Sequence, residues 1–165
     1  MVSMLCAGAL QLVADTYPRQ EGIDAQHYIF RVTLSDESDE ILGEATVELR
    51  FIRDGVTEVA LDLASADGDK GMTVSGVTLK GAPIQYGHQK DRLTMKLPSS
   101  PKAGDLEKFT IRYHGVPADG LRIGTNKFGE RTFFSQNWPN LARQWLPMID
   151  HPYDKATSEF IITAP

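Results

Sequence analysis

From Asp24 onward, apolar side chains recur at every second position in short runs, and turn-forming residues cut the runs about every ten positions. Tyr28, Phe30, Val32 and Leu34 alternate with His27, Arg31 and Thr33; beyond the acidic turn Ser35–Glu40, Ala45, Val47, Leu49 and Phe51 alternate with Glu44, Thr46, Glu48 and Arg50. Side chains of an extended chain point to opposite faces in turn, so this period of two specifies strands with one buried and one wet face. The two runs and the turn between them predict a β-hairpin.

The same reading continues along the chain. Val59, Leu61 and Leu63 follow an Asp54-Gly55 turn, and Met72–Lys80 forms a strand with Val77 and Leu79 inward. Ile84, Tyr86 and His88 read as the start of its partner, and Gln89–Arg92 turns again into Leu93, Met95 and Leu97. Phe109, Ile111 and Tyr113 alternate with Thr110, Arg112 and His114. Gly120–Gly124 and Arg131–Phe134 read as short strands around a tip loop, Thr125–Glu130, and Ala156–Ala164 as a last strand with Phe160, Ile162 and Ala164 on one face. No helical periodicity precedes residue 139. The expected class is all-β: a saddle-shaped β-sandwich or curved antiparallel sheets with short loops and at most one short helix near residues 139–144. Residues 20–165 are expected to form a single domain and residues 1–19 an N-terminal extension.

Composition narrows the function. A chain of 165 residues can bury a core, and a formal net charge of −5 without a Lys/Arg cluster argues against nucleic acid as a partner. The single cysteine, Cys6, excludes an internal disulfide and a cysteine-rich zinc site. No segment is long and apolar enough for a membrane-spanning helix. Met1–Leu10 is apolar and ends near a small-x-small Ala7-Gly8-Ala9, but no basic residue precedes it. It reads either as the remnant of a secretion signal, which would make the protein exported, or as an extra segment packing on a cytoplasmic domain.

Catalytic constellations are missing. His27, His88, His114 and His151 stand far apart in sequence, with no His-Glu-x-x-His pair, nucleophile elbow or phosphate-binding glycine loop; strand histidines facing water are the plainer reading. Asp62, Asp67 and Asp69 cluster without the spacing or terminal Glu of a calcium loop. By its residues alone the chain reads as a binding or structural module.

The stretch that breaks the pattern is Phe133–Pro152, which holds both tryptophans and Pro139, Pro147 and Pro152. Prolines at 139 and 147 interrupt any helix or central strand, so the segment is a rigid surface feature of the kind that carries function. Ser135, Gln136, Asn137 and Trp138 are the candidate binding residues: amides donate and accept at once, and an indole offers an apolar wall and a cation–π face. The bland alternative has Trp138 and Trp145 plugging the core and the amides capping backbone; for Trp145 it is favoured by Leu146 and Pro147.

The run Phe-Phe-Ser-Gln-Asn-Trp-Pro-Asn-x-Ala-Arg-x-Trp-x-Pro-x-x-Asp-His-Pro-x-Asp-Lys-Ala-Thr resembles the N-terminal domain of the M1 zinc aminopeptidases, the family of leukotriene A4 hydrolase and aminopeptidase N. His27-Tyr28, Gly43–Thr46, Leu61-Asp62-Leu63 and Ile111–Gly115 fit it too. The resemblance implies a saddle-shaped β domain covering a downstream catalytic domain that carries the His-Glu-x-x-His zinc site, the chain's expected partner. This chain would hold no metal and no catalytic residue, would be inactive alone, and would act within a peptidase that removes N-terminal residues from peptides. A family loop of pattern Ser/Thr-Gln-x-Gln/Glu contacts the substrate's free amine. Ser135 and Gln136 match its first two positions, whereas Trp138 replaces the usual Gln or Glu. Arg143, Trp145, Asp150 and Pro152 are expected to support the loop, Asp150 by capping a turn. The competing expectation is a free-standing β-sandwich module for peptide or carbohydrate, with Trp138 and Phe133 as its platform.

Overall fold

The computed structural model describes residues 15–165; the readings placed on Met1–Leu10 and Cys6 lie outside them. Eleven strands and one short 3-10 turn follow in order: β1 (Ile23–Thr33), β2 (Ile41–Phe51), β3 (Glu58–Asp62), β4 (Gly71–Leu79), β5 (Ala82–Pro83), β6 (Tyr86–Gln89), β7 (Arg92–Lys96), β8 (Leu106–Val116), β9 (Leu121–Thr125), β10 (Arg131–Ser135), the turn Ala142–Gln144, and β11 (Thr157–Thr163). The all-β class and the single helical turn inside 139–144 are as the alternation and the prolines require.

Three sheets form: a six-stranded one in the order β11-β1-β2-β8-β4-β5, a three-stranded one in the order β3-β7-β6, and the β9–β10 hairpin. The predicted first hairpin is present, with Phe30 opposite Ala45 and Tyr28 opposite Val47. One core lies between the two larger sheets. Tyr28, Phe30, Ala45, Val47, Leu49, Phe109 and Ile111 come from one side and Val59, Leu61, Leu93 and Met95 from the other; Ala142, Trp145, Leu146 and Ile149 of the proline-rich segment complete it.

Two expectations are corrected. The stretch Ile84–His88 is not the partner of β4: only Ala82 and Pro83 pair with β4, and Tyr86–Gln89 pairs with β7 in the opposite layer. The contact with β4 ends at the next residue, where Ile84 N–H donates to the Val77 carbonyl at 3.1 Å. Lys90 and Asp91, both at positive φ (52° and 58°), then close a tight hairpin into β7. The second correction concerns β11, which runs parallel to β1 in an otherwise antiparallel sheet. Alternation in a strand specifies its faces but not the direction of its neighbour.

Candidate functional site

The proline-rich segment is stitched to the edge of β3. Asp62 and Met148 exchange backbone bonds at 2.8 and 3.1 Å, and Ala64 N–H donates to the Arg143 carbonyl at 2.8 Å. Behind this seam lies a buried polar cluster centred on Asp62. Its carboxylate accepts from Arg92 Nη1 at 2.8 Å, from the Tyr17 hydroxyl at 2.5 Å and from the Asp150 N–H at 3.0 Å, with Arg143 Nη2 3.5 Å away. Arg143 turns back on Asp150: its N–H and Nε donate to the carboxylate at 3.1 and 3.3 Å, and Nη2 donates to the carbonyl at 2.6 Å. Two carboxylates thus face two guanidiniums, an arrangement in which no buried charge is left alone.

Tyr17 closes the cluster from the N-terminal side. His151 stacks on its ring with centroids 4.4 Å apart, and both guanidiniums lie over it, Arg143 at 5.7 Å and Arg92 at 5.9 Å. Burial, reinforced by the bond to Asp62, pushes the Tyr17 hydroxyl well above its ordinary pKa, so it serves as a fixed donor. The neighbouring Asp154 carboxyl is raised chiefly by burial, while it accepts from the Ala25 N–H at 3.2 Å.

On this support sits the loop after β10. Gln136 N–H donates to the Gly120 carbonyl at 2.8 Å, and the Asn137 carbonyl accepts from Leu141 N–H at 2.9 Å. The Asn137 side chain faces inward, its Oδ1 taking the Trp145 Nε1 proton at 3.0 Å. The two tryptophans therefore part company: Trp145 is 3% exposed within the core and Trp138 is 77% exposed. Ser135 and Gln136 are exposed as well. Trp138, Pro139 and Asn140 form one wall of an open cleft of about 960 Å³, and Arg143, Asp150, His151, Pro152 and Ser158 contribute to the rest.

Of the candidate binding residues, the fold presents Ser135, Gln136 and Trp138 to solvent and turns Asn137 into the platform. Phe133 packs partly buried beneath Arg131, whose guanidinium lies 5.6 Å from its ring, and Phe134 is the outward-facing aromatic. Of the two rings expected to form a platform, Trp138 is largely exposed and Phe133 only in part. The histidines do not simply face water: His27 lies 2.7 Å from Thr157 Oγ1, His88 2.9 Å from the Leu63 carbonyl and His114 2.6 Å from Glu40 Oε1. Among the described residues no three His, Cys, Asp or Glu side chains converge to hold a metal ion. What the arrangement offers is recognition: an exposed amide and indole on a rigid mount, able to donate, accept and stack.

Sequence reasoning missed Tyr17 and Arg92, and it weighed Asp62 only as a calcium ligand, a role its spacing argued against. The available signal was an acid between Leu61 and Leu63 in a buried strand, a position that demands a cationic partner.

Comparison with known proteins locates this geometry. The model of the peptidase M1 N-terminal domain matches residues 24–165. Among solved structures, an M1 zinc metallopeptidase from Deinococcus radiodurans aligns over 88% of this chain and 33% of its own, at 26% identity and a TM-score of 0.72. A two-domain M1 zinc metallopeptidase bound to L-tryptophan aligns over 88% and 34%, at 25% identity and a TM-score of 0.72. Native leukotriene A4 hydrolase from Saccharomyces cerevisiae shares the fold at 22% identity and a TM-score of 0.72, over 87% of this chain and 24% of that one. The chain spans about a third of the length of the first two. No curated protein sequence matches it.

Proposed function

We propose, on the premise that this chain belongs to the peptidase M1 N-terminal domain family, that it is the N-terminal domain of a zinc-dependent aminopeptidase and lends the loop Ser135–Trp138 to that enzyme's active site. The observation that carries the reading is the pairing of this family match with a loop whose polar and aromatic side chains are exposed on a buried ionic mount. Gln136 would meet the free α-amine of a peptide through its carbonyl oxygen, an acceptor suited to an ammonium donor. Trp138 can only donate through its N–H, so it would wall the pocket for the first side chain or stack against the cation. Zinc, which polarises the scissile carbonyl and its attacking water in metallopeptidases, would be held by a further domain. This chain's contribution is to bind and orient the substrate's N-terminus and so restrict cleavage to it.

Two measurements test this. The purified 165-residue chain is expected to hydrolyse no aminoacyl chromogenic substrate, with or without added zinc, while the product of the longer gene does. In that product, Gln136→Ala should lower kcat/KM about 10-fold, the scale of one charge-assisted hydrogen bond. Unchanged kinetics would remove Gln136 from the site, and activity of the isolated chain would overturn the assignment of catalysis elsewhere.

A further inference from the structure

The ribbon of β9 and β10 shares no ladder with either larger sheet. Two strands alone are marginal in water, so the ribbon depends on what it packs against. Leu121 is buried and Ile123 and Phe133 are partly buried on the core side, whereas Phe128 and Phe134 are largely exposed. The tip is tied to itself: Asn126 Oδ1 accepts from the Phe128 and Glu130 N–H groups at 2.9 and 3.0 Å, and Nδ2 donates to the Glu130 carboxylate at 3.0 Å. Arg122 pairs with nearby Asp119. Among the described residues, Arg131 is the one residue of Leu121–Ser135 whose side chain bonds to a distant part of the chain.

Arg131 opens β10, and the strand runs from it directly into Ser135 and Gln136, about 16 Å away in extended chain. Its Nη2 donates to the Ser38 carbonyl at 2.6 Å and to Asp39 Oδ1 at 2.7 Å, while the guanidinium lies 5.6 Å from the Phe133 ring. Ser38 and Asp39 belong to the turn between β1 and β2, in which four of the six residues Ser35–Glu40 are carboxylates. That turn is itself fixed: the Ser35 and Ser38 hydroxyl oxygens accept from the Glu37 and Glu40 N–H groups at 3.1 and 3.0 Å. The six-stranded sheet thus presents a rigid acidic anchor, and Arg131 ties the far end of the ribbon to it. The near end is fixed separately, by Gln136 N–H on the Gly120 carbonyl and by the bond between Trp145 Nε1 and Asn137.

Stability alone accounts poorly for an arginine at this position. Its Nε is buried with no hydrogen-bond partner among the described residues. A buried donor left unpaired lowers stability, and an ion pair whose acid is 46% exposed returns little. What the residue does supply is a fixed position for the strand that carries the loop.

We propose that Arg131 is a positioning residue for substrate recognition: its bonds to Ser38 and Asp39 hold the β9–β10 ribbon against the six-stranded sheet and so set where Gln136 meets the substrate's α-amine. This rests on the reading above that the loop Ser135–Trp138 enters the active site. Arg131 acts through Gln136 rather than on the substrate. Released at its far end, the ribbon rocks about the Gly120 end and carries the Gln136 side chain with it, and a displacement of about 1 Å at a binding group is enough to change kinetics.

The test has a structural arm and a kinetic arm. In the 165-residue chain, Arg131→Gln should speed exchange of the Gly124 and Thr132 amides, which lie opposite one another in the ribbon, by about 10-fold or more. Amides of β1 and β2 should be unaffected, and the melting temperature should stay within about 2 °C. In the full product of the gene, Arg131→Gln should raise KM for an aminoacyl chromogenic substrate about 5-fold, with kcat within about 2-fold. Asp39→Asn, made on the exposed turn, should move KM the same way and so guards against a folding defect peculiar to position 131. In a Gln136→Ala background, Arg131→Gln should change KM by less than about 1.5-fold, because the residue through which it acts is already gone. A full-sized change in that background would show an effect not routed through Gln136 and overturn the proposal. Unchanged KM in Arg131→Gln, with Gln136→Ala still impaired, would sink the positioning role alone. Unchanged kinetics in Gln136→Ala would sink the loop reading and this role with it. A melting temperature lowered by more than about 5 °C in both single variants would make the bond a general stabiliser instead.

Discussion

Asp62 lies between Leu61 and Leu63, both fully buried, and it is the residue through which the N-terminal stretch, β7 and the proline-rich segment meet. Its carboxylate faces Arg92 and Arg143 in a region shielded from water, where removing one partner leaves an uncompensated charge. Asp62→Asn keeps the shape and removes the charge, and it is expected to cost about 3–5 kcal/mol of unfolding free energy, read from urea denaturation. A loss below about 1 kcal/mol would show that Asp150 alone balances both arginines. The acid in an apolar run was visible in the sequence, but its partners were not. Arg92 is 30 residues away, Tyr17 45 and Asp150 88, and nothing in local spacing selects them from other residues of their type.

At the scale of the element, the loop after β10 owes its position to one glycine and one tryptophan. Gly120 has φ +78°, and a Cβ there would stand 2.3 Å from the Leu141 carbonyl oxygen and 2.9 Å from Trp145 Cδ1. The backbone of the loop is laid directly over that residue, since Gln136 N–H donates to its carbonyl. Gly120→Ala should therefore destabilise by about 1–3 kcal/mol through left-handed strain and displaced backbone. In a Trp138→Phe background it should also shift Trp145 emission to the red as Asn137 Oδ1 and the core draw away; unchanged emission would mean that the loop accommodates the methyl group elsewhere. The prolines marked this segment as special, and the alternation located every long strand. The division of labour between Trp138 and Trp145 was legible in part, because Leu146 and Pro147 beside Trp145 favoured the core for that indole, where it is buried.

Over the whole molecule, a single core joins the six-stranded sheet, the three-stranded sheet and the segment Ala142–Ile149. Far-UV circular dichroism, which follows the sheets, and Trp145 fluorescence, which follows the segment, should report one coincident urea transition. Two separated midpoints would show the segment to be a detachable appendage. Period-two alternation with regular turn signals was sufficient for the β class, for the inward faces and for the β1–β2 hairpin, because those depend on the identity of neighbours in sequence. A resemblance over Phe133–Thr157 was sufficient to anticipate the family. Tertiary structure alone decided that β6 joins β7 rather than β4, that β11 runs parallel to β1, and that Asp62 is an ionic hub. It also decided that Asn137 turns inward to accept from the Trp145 indole. Each of these turns on which distant surface a residue meets, and side-chain period constrains faces without specifying partners.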